Sequence, residues 1–333
     1  MPLPYPGMPP GLTTFVTLVD SAGRRPIQHL DLDGIRANRT VIFPRGRAGQ
    51  RLLGRIDPAV RITRATAAAR DGHPVRLRVY RSPHATRPAP LVVFFHGGGW
   101  AQGNVVNYDS LCAEVAAGTG AVVMSVDYRM APEDKAPRAA YDCIDATRHL
   151  LDHAGTYAVD PTRVAVAGDS AGGNLAAVVC QVFRDEGRVA IRGQALIYPA
   201  TDCTMSSPSI DEHADAPILT KAGIIAFLGH YLDGSGVAPD DPIVSPLLGR
   251  LDDLPPALIQ VADLDPIRDD GIRYAAALRR AGVPVMLTSY RGAPHGFASF
   301  PGAYRGGTAH RSELVEFLTM ALGPGHSRRA VKV

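Results

Sequence analysis

The chain predicts a mostly parallel α/β sheet with helices on both faces, and three observations carry that prediction. Strand-like and helix-like segments alternate along most of its length. The run Pro90–Phe95 is continuously apolar, as a strand buried on both faces requires. A second run, Arg163–Ala167, ends in Gly168-Asp169-Ser170-Ala171-Gly172, and a small-residue helix pattern follows at once. Such an abrupt change of period, from strand to helix, marks a sharp turn between the two.

Taken in order, Val75–Tyr80 alternates with period two and reads as an outer strand. The strand ending at His96 comes next, then strands at Ala121–Val126, Val164–Ala167, Ala195–Tyr198, Ala257–Val261 and Val285–Tyr290. Helix patterns lie between or after them, at Ala139–His153, Ala171–Asp185, Gly271–Arg280 and Arg311–Leu322. Two regions interrupt the rhythm. The segment to about residue 72 has weak helix patterns at Asp33–Arg39 and Pro58–Arg70, and the stretch Cys203–Asp241 includes an apolar helix pattern, Leu219–Leu232. No internal repeat or low-complexity tract is visible.

The Gly-x-Ser-x-Gly segment is how a serine nucleophile is mounted on a strand-to-helix turn. Gly168 and Gly172 stand where neighbouring backbone passes too close for a side chain. The helix that follows aims free N–H groups at any negative charge formed beside the serine. As bare text the pattern recurs by chance, so its strand-before, helix-after setting is what matters. The apolar run to Phe95 stops at His96-Gly97-Gly98-Gly99-Trp100, where three glycines expose main-chain amides suited to an oxyanion. Alone, these glycines would read as a turn. Two such motifs, in this order and each at a strand end, read together as the parts of one site.

These residues resemble the hormone-sensitive-lipase-like branch of the α/β-hydrolase fold, the bacterial family IV esterases. The resemblance extends through Val126-Asp127-Tyr128-Arg129-Met130-Ala131-Pro132-Glu133, Ser245-Pro246-Leu247, Leu254-Pro255-Pro256-Ala257, Asp265-Pro266-Ile267-Arg268-Asp269 and His295-Gly296-Phe297. It spans roughly residues 75 to 322; the first seventy-odd residues match loosely, and Ile267 stands where the family usually has leucine. The resemblance implies an α/β-hydrolase core at 73–202 and 242–333. It also implies a helical cap built from residues 1–72 and the insertion 203–241, an expectation by analogy of fold.

A serine needs a base to remove its proton, and the base needs a third group to orient it. In this fold the chain order is Ser, then Asp or Glu, then His. Asp265 follows the strand Ala257–Val261, and His295 follows Val285–Tyr290, so both fall in loops at the same sheet edge as Ser170. Among the eleven histidines, His149 and His153 sit in a helix pattern, His310 opens the last helix, and His96 belongs to the glycine loop as an orienting group. The acid has competitors: Asp263 is the main one, while Asp269 and Asp270 begin a helix, where acids favour the dipole. Asp265 precedes a proline and matches the family's acid. Ser170, Asp265 and His295 are thus the expected catalytic residues. The resemblance implies oxyanion donors at Gly98, Gly99 and Ala171, with His96, Gly97, Gly168 and Gly172 supporting the motifs. Glu133 and Asp169 read as hydrogen-bond partners of the loops, and Trp100 as a pocket or packing residue.

Composition fits an ordinary enzyme. The 333 residues are 46% hydrophobic and 20% charged, with a formal net charge of +3. Basic residues are scattered, which excludes a nucleic-acid track. Residues 1–19 show no basic and apolar leader, no apolar run approaches the ~18 residues of a membrane span, and the four cysteines form no metal or CxxC spacing. Three of them, Cys112, Cys143 and Cys180, fall in helix-like apolar patterns and read as buried thiols, so a cytoplasmic setting is expected. No cofactor or metal fingerprint occurs. The expected partner is a small-molecule ester, roughly two to eight acyl carbons, with no nucleic acid and no membrane; the chain allows a homodimer. An amidase or arylformamidase on the same residues remains open, as does a non-enzymatic ligand receptor, though such receptors lose the histidine that His295 retains.

Overall fold

The computed structural model describes residues 5–21, 25–188, 191–304 and 306–323, and among these eight strands form one sheet. In chain order they are β1 (Arg61–Ala68), β2 (Pro74–Arg81), β3 (Ala89–Phe95), β4 (Val122–Asp127), β5 (Val159–Asp169), β6 (Ile191–Ile197), β7 (Ala257–Leu264) and β8 (Val285–Pro294). The helices are α1 (Pro10–Ser21), α2 (Leu32–Thr40), α3 (Arg47–Leu53), α4 (Asp109–Thr119), α5 (Arg138–Asp152), α6 (Ala171–Asp185), α7 (Ser209–Glu212), α8 (Lys221–Leu232), α9 (Arg268–Arg280) and α10 (Gly307–Leu322). Across the sheet the order is β1-β2-β4-β3-β5-β6-β7-β8. The pairs β1–β2 and β2–β4 are antiparallel and the rest are parallel.

Strand β3 shows why the sheet is covered on both faces. All of its residues are buried, and they alternate between two cores. Leu91, Val93 and Phe95 join the core built with α5, α6 and α9, whereas Val92 and Phe94 join the one built with α4 and α10. Each such side chain stabilises the fold by roughly 1.5–3 kcal/mol relative to exposure. Because β3 is parallel to its neighbours β4 and β5, and β6, β7 and β8 continue in the same sense, their carboxyl ends share one edge. His96, Ser170, Asp265 and His295 all follow strands at that edge.

The sheet departs from the sequence reading at its first strand. The Pro58–Arg70 pattern is not a helix: Arg61–Ala68 is β1, paired with β2 residue for residue from Arg61 opposite Arg81 to Ala68 opposite Pro74. Alanines and arginines favour a helix in isolation, but Ile62, Thr63 and Thr66 tolerate a strand, and the ladder with β2 decides. Consequently Val75–Tyr80, in β2, lies between β1 and β4 rather than at the edge, and the sheet begins within the first 72 residues. Helix α4 was expected only as the helix-like apolar pattern around Cys112, without bounds.

The segment after Cys203 holds α7 and α8. Thr220 caps α8, its side chain accepting from Gly223 N at 3.0 Å, which sets the helix start two residues after Leu219. Leu219, Ile224 and Ile267 form a small apolar cluster of their own, so this segment packs directly on the loop that carries Asp265. All four cysteines are buried and unpaired.

Close backbone approach at the Ser170 turn makes a specific demand. A methyl group at Gly172 would overlap the carbonyl of Phe95, whereas one at Gly155 would meet nothing within 4 Å. Gly172→Ala is expected to lose about 3 kcal/mol or more, with Gly155→Ala staying within about 0.5 kcal/mol of the parent. Denaturant unfolding of the two variants checks this, and equal midpoints would remove the backbone-contact argument.

Candidate active site

Ser170 sits between the last residue of β5 and the first of α6, with φ 55° and ψ −120°. A non-glycine residue holds this conformation only when its surroundings over-determine it. Here Ser170 N donates to Ile197 O at 2.8 Å, and Ser170 O accepts from Asn174 N at 3.0 Å. Gly168 and Gly172 let the turn close against β3. The result is a hydroxyl projecting from the sheet edge, with the N-terminus of α6 behind it.

His295 Nε2 lies 2.9 Å from Ser170 Oγ, and its Nδ1 lies 2.7 Å from Asp265 Oδ2. A carboxylate only accepts, so Nδ1 carries the proton and Nε2 is left to accept from the serine hydroxyl. Asp265 is fully buried, and its other oxygen accepts from Ile267 N at 2.9 Å. The competing acids are engaged elsewhere. Asp263 accepts from Gly292 N at 3.0 Å, and Asp269 accepts from Ser209 N at 3.1 Å. His310 lies in the first turn of α10, fully buried against Tyr290 and Phe297, and burial pushes its imidazole down to about 3.

The glycine loop runs alongside. Gly98 and Gly99 have φ of 125° and 58°, and their N–H groups have no protein acceptor among the described residues. Gly97 differs, because its N–H donates to Asp169 Oδ1 at 2.8 Å and to Tyr108 Oη at 3.1 Å. The His96 ring is buried and stacked on Tyr128, with Nδ1 2.8 Å from Gly97 O. Burial lowers its pKa. Trp100 stacks on Tyr231 of α8 at 4.6 Å and lines the cavity as well, so both of its expected roles apply.

Two buried carboxyls near Ser170 are strongly perturbed. Asp169 accepts from Gly97 N, from Tyr108 at 3.0 Å and from Tyr198 at 3.3 Å; burial still pushes it up to about 6. Asp270 accepts from Thr201 N, Asp202 N and Ser207 Oγ, so it ties α9 to the start of the 203–241 segment as well as facing the helix dipole. Burial pushes Asp270 up to about 7 against the Ser207 hydrogen bond, and the charge of Asp202 adds to the rise.

Ser170 and His295 open onto a cavity of about 950 Å³. Its walls come from the N-terminal segment, through Tyr5, Val16 and Phe43, and from the later insertion, through Ile218, Leu219 and Phe227. Ile218 has a positive φ of 73°, unusual for a β-branched residue, and stands against Gly296 in the cavity wall. Tyr108, Tyr198, Phe227 and Asp270 are site residues that the motifs did not point to. Tyr198 had a signal as the last residue of a strand pattern at the functional edge, Asp270 as an acid at a helix start and Phe227 as part of the Leu219–Leu232 helix pattern, whereas Tyr108 had none. Among the described residues, no group of His, Cys, Asp or Glu could hold a metal ion, and no helix is long and apolar enough to cross a membrane.

The profile of the alpha/beta hydrolase fold matches residues 92–299. The chain belongs to the α/β-hydrolase family. Its branch is the hormone-sensitive-lipase-like one. The chain is 44% identical to the esterase LipI of Mycobacterium tuberculosis over 232 residues, 69% of this chain and 72% of that protein. An ethyl acetate hydrolase of Pseudomonas putida is 34% identical over 298 residues, 86% of this chain and 91% of that one. The structure of a hyperthermophilic esterase from Pyrobaculum calidifontis superposes with a TM-score of 0.84 at 34% identity, covering 95% of this chain and 99% of that one.

In this α/β-hydrolase, Asp270 gives stability a definite pH dependence. Its folded pKa of about 7 lies above the ordinary 3.8, so the folded state binds more protons than the unfolded one between those values. Its contribution is therefore fullest below about pH 4 and is lost as pH rises through about 7. Asp270→Asn, which keeps an acceptor for the two N–H groups, is expected to flatten stability over that range and to be more stable than the parent at pH 8. Denaturant unfolding at pH 5 and pH 8 decides it: an unchanged difference between the two pH values would show that Asp270 does not carry the effect.

Proposed function

We propose that the protein is a serine carboxylesterase that cleaves short- to medium-chain esters through an acyl-enzyme. One observation carries the reading: the unbroken hydrogen-bonded chain from Ser170 Oγ through His295 to Asp265, opening onto a cavity beside the amides of Gly98 and Gly99. The names of the relatives support the choice of ester over amide. In the first step His295 Nε2 takes the hydroxyl proton as Ser170 Oγ bonds to the ester carbonyl carbon. Asp265, accepting from Nδ1–H, stabilises the imidazolium. The carbonyl oxygen becomes an oxyanion held by the amides of Gly98, Gly99 and Ala171, the last at the α6 N-terminus. Collapse expels the alcohol, which takes its proton from His295. Water, deprotonated in turn by His295, then attacks the acyl-enzyme and releases the acid.

The substrate size follows from how the cavity is closed. We infer that the N-terminal segment and the 203–241 insertion act as a cap, because both wall the space over Ser170. A cavity of about 950 Å³ is at the upper end of the roughly 300–1,000 Å³ usual for small-molecule sites, which suits single soluble esters more than an emulsified surface. The four buried, unpaired thiols support a cytoplasmic setting.

Ser170→Ala is expected to remove on the order of a thousandfold or more of kcat on p-nitrophenyl esters while the far-UV circular dichroism stays unchanged. A folded variant that kept most of its activity would end the serine-esterase reading. For the acid, Asp265→Asn is expected to cost roughly three orders of magnitude in kcat and Asp263→Asn less than about tenfold, since only the partner of Nδ1 sets the histidine tautomer. The reverse ranking in steady-state kinetics would move the acid to Asp263.

A further inference from the structure

The N-terminal segment is bonded to the glycine loop through one cation. Arg39, at the end of α2, is largely buried, with 18% of its side chain exposed. Its Nε donates to Ala101 O at 2.8 Å, and one terminal nitrogen donates to Ala131 O and, at 2.8 Å, to Glu133 Oε2. Ala101 and Ala131 are fully buried. Those two residues belong to the loops after β3 and β4, which also touch directly where Ala131 N donates to Trp100 O at 2.9 Å. Around the turn, Ala101 N and Gln102 N both donate back to Gly98 O, at 3.2 and 2.8 Å. A guanidinium holding Ala101 O therefore acts directly on the peptide unit that carries the Gly99 amide, and through the Gly98 Cα on the adjoining unit that carries the Gly98 amide.

Further bonds make the attachment stiff. Asn104 Nδ2 donates to Arg39 O at 2.9 Å, Asn107 Nδ2 donates to Val41 O at 2.9 Å, and Phe43 N donates to Asn107 Oδ1 at 3.0 Å. Glu133 is held from its other side by Arg36 at 2.7 Å. From the opposite flank, Asp169 holds Gly97 N, and Phe227 lies against Gly99.

We propose that Arg39 is a positioning residue for the oxyanion amides, setting from the N-terminal segment the angle at which Gly98 and Gly99 face Ser170. The proposal rests on the serine-esterase reading above. The planar fork of arginine reaches two carbonyls in different loops at once, which the point charge of lysine does not reproduce. Amides aimed at a tetrahedral oxygen lose effect with small misplacements, while binding of the planar ester depends little on them. Loss of Arg39 therefore acts on turnover more than on substrate binding.

The test uses the full chain as wild type, Arg39→Ala and Arg39→Lys, with p-nitrophenyl butyrate as substrate. Phenylboronic acid, which forms a tetrahedral adduct on the serine, serves as the probe of oxyanion geometry. Arg39→Ala is expected to lower kcat by roughly ten- to a hundredfold with KM within about threefold, and to weaken the boronate by the same factor as kcat/KM. Arg39→Lys recovers only part of the loss, and added guanidinium ion restores part of the Arg39→Ala rate. An unchanged kcat with unchanged boronate affinity overturns the proposal, as does a loss confined to KM, which would leave Arg39 a wall residue. Should Arg39→Ala fail to fold, Arg39→Lys against wild type decides by the same boronate comparison. Failure of the underlying reading is separate, since it appears as activity retained in Ser170→Ala.

Discussion

Strands β3 and β5 are neighbours in parallel register, with Phe95 opposite Gly168, and the chain leaves both of them at the same level. Two sharp turns must therefore fit side by side within little more than one strand spacing, about 4.8 Å. That crowding is resolved by removing side chains. A methyl at Gly172 would overlap the Phe95 carbonyl, one at Gly168 would overlap the Gly172 carbonyl, and one at Gly97 would stand 2.6 Å from Asp169 Oδ2. Ser170 keeps its positive φ because its neighbours are pinned by these contacts. The hydroxyl and the free amides of the glycine loop border one cavity as a geometric consequence, before any chemistry is asked of them.

Charge is managed at the same junction. The carboxyl of Asp169 is buried between the two turns and takes hydrogen bonds from the β3 loop through Gly97, from the turn before α4 through Tyr108, and from the end of β6 through Tyr198. Burial pushes it up to about 6 against the pull of these donors. Tyr198 in turn lies 4.8 Å from the His295 ring and 5.1 Å from Phe297, centroid to centroid. One carboxyl thereby couples the nucleophile turn, the glycine loop and the packing beneath the imidazole. Asp270 plays a comparable part farther out, fastening residues 201–207 to α9 behind the Asp265 loop.

What the sequence made legible follows from how local each signal is. The parallel strands were visible because each is a short apolar run that stops at glycine or a polar residue, and Ser170, Asp265 and His295 were placed by the strand each one follows. The first strand was misread for the opposite reason. In β1 only Ala67 is buried, so its pattern carries little hydrophobic information, and its pairing with β2 decides its state. Asp270 was legible only as a helix-start acid, because its partners at Thr201, Asp202 and Ser207 lie more than sixty positions away in the chain. Arg39 left no trace at all. Nothing in a solitary arginine near the end of a weak helix pattern announces carbonyl acceptors at Ala101 and Ala131.

That last case has a structural logic. The glycine loop is recognisable in sequence because it has no side chains of its own, and for the same reason it cannot hold its own shape by packing. Its rigidity has to be supplied from outside. Here it comes from Asp169 below, from Phe227 and Tyr231 of α8 against Gly99 and Trp100, and from Arg39 at the carbonyl of Ala101. Two of those three braces belong to the segments that also wall the cavity. Those contacts that hold the glycine loop thus come from the same two segments that line the cavity beside Ser170.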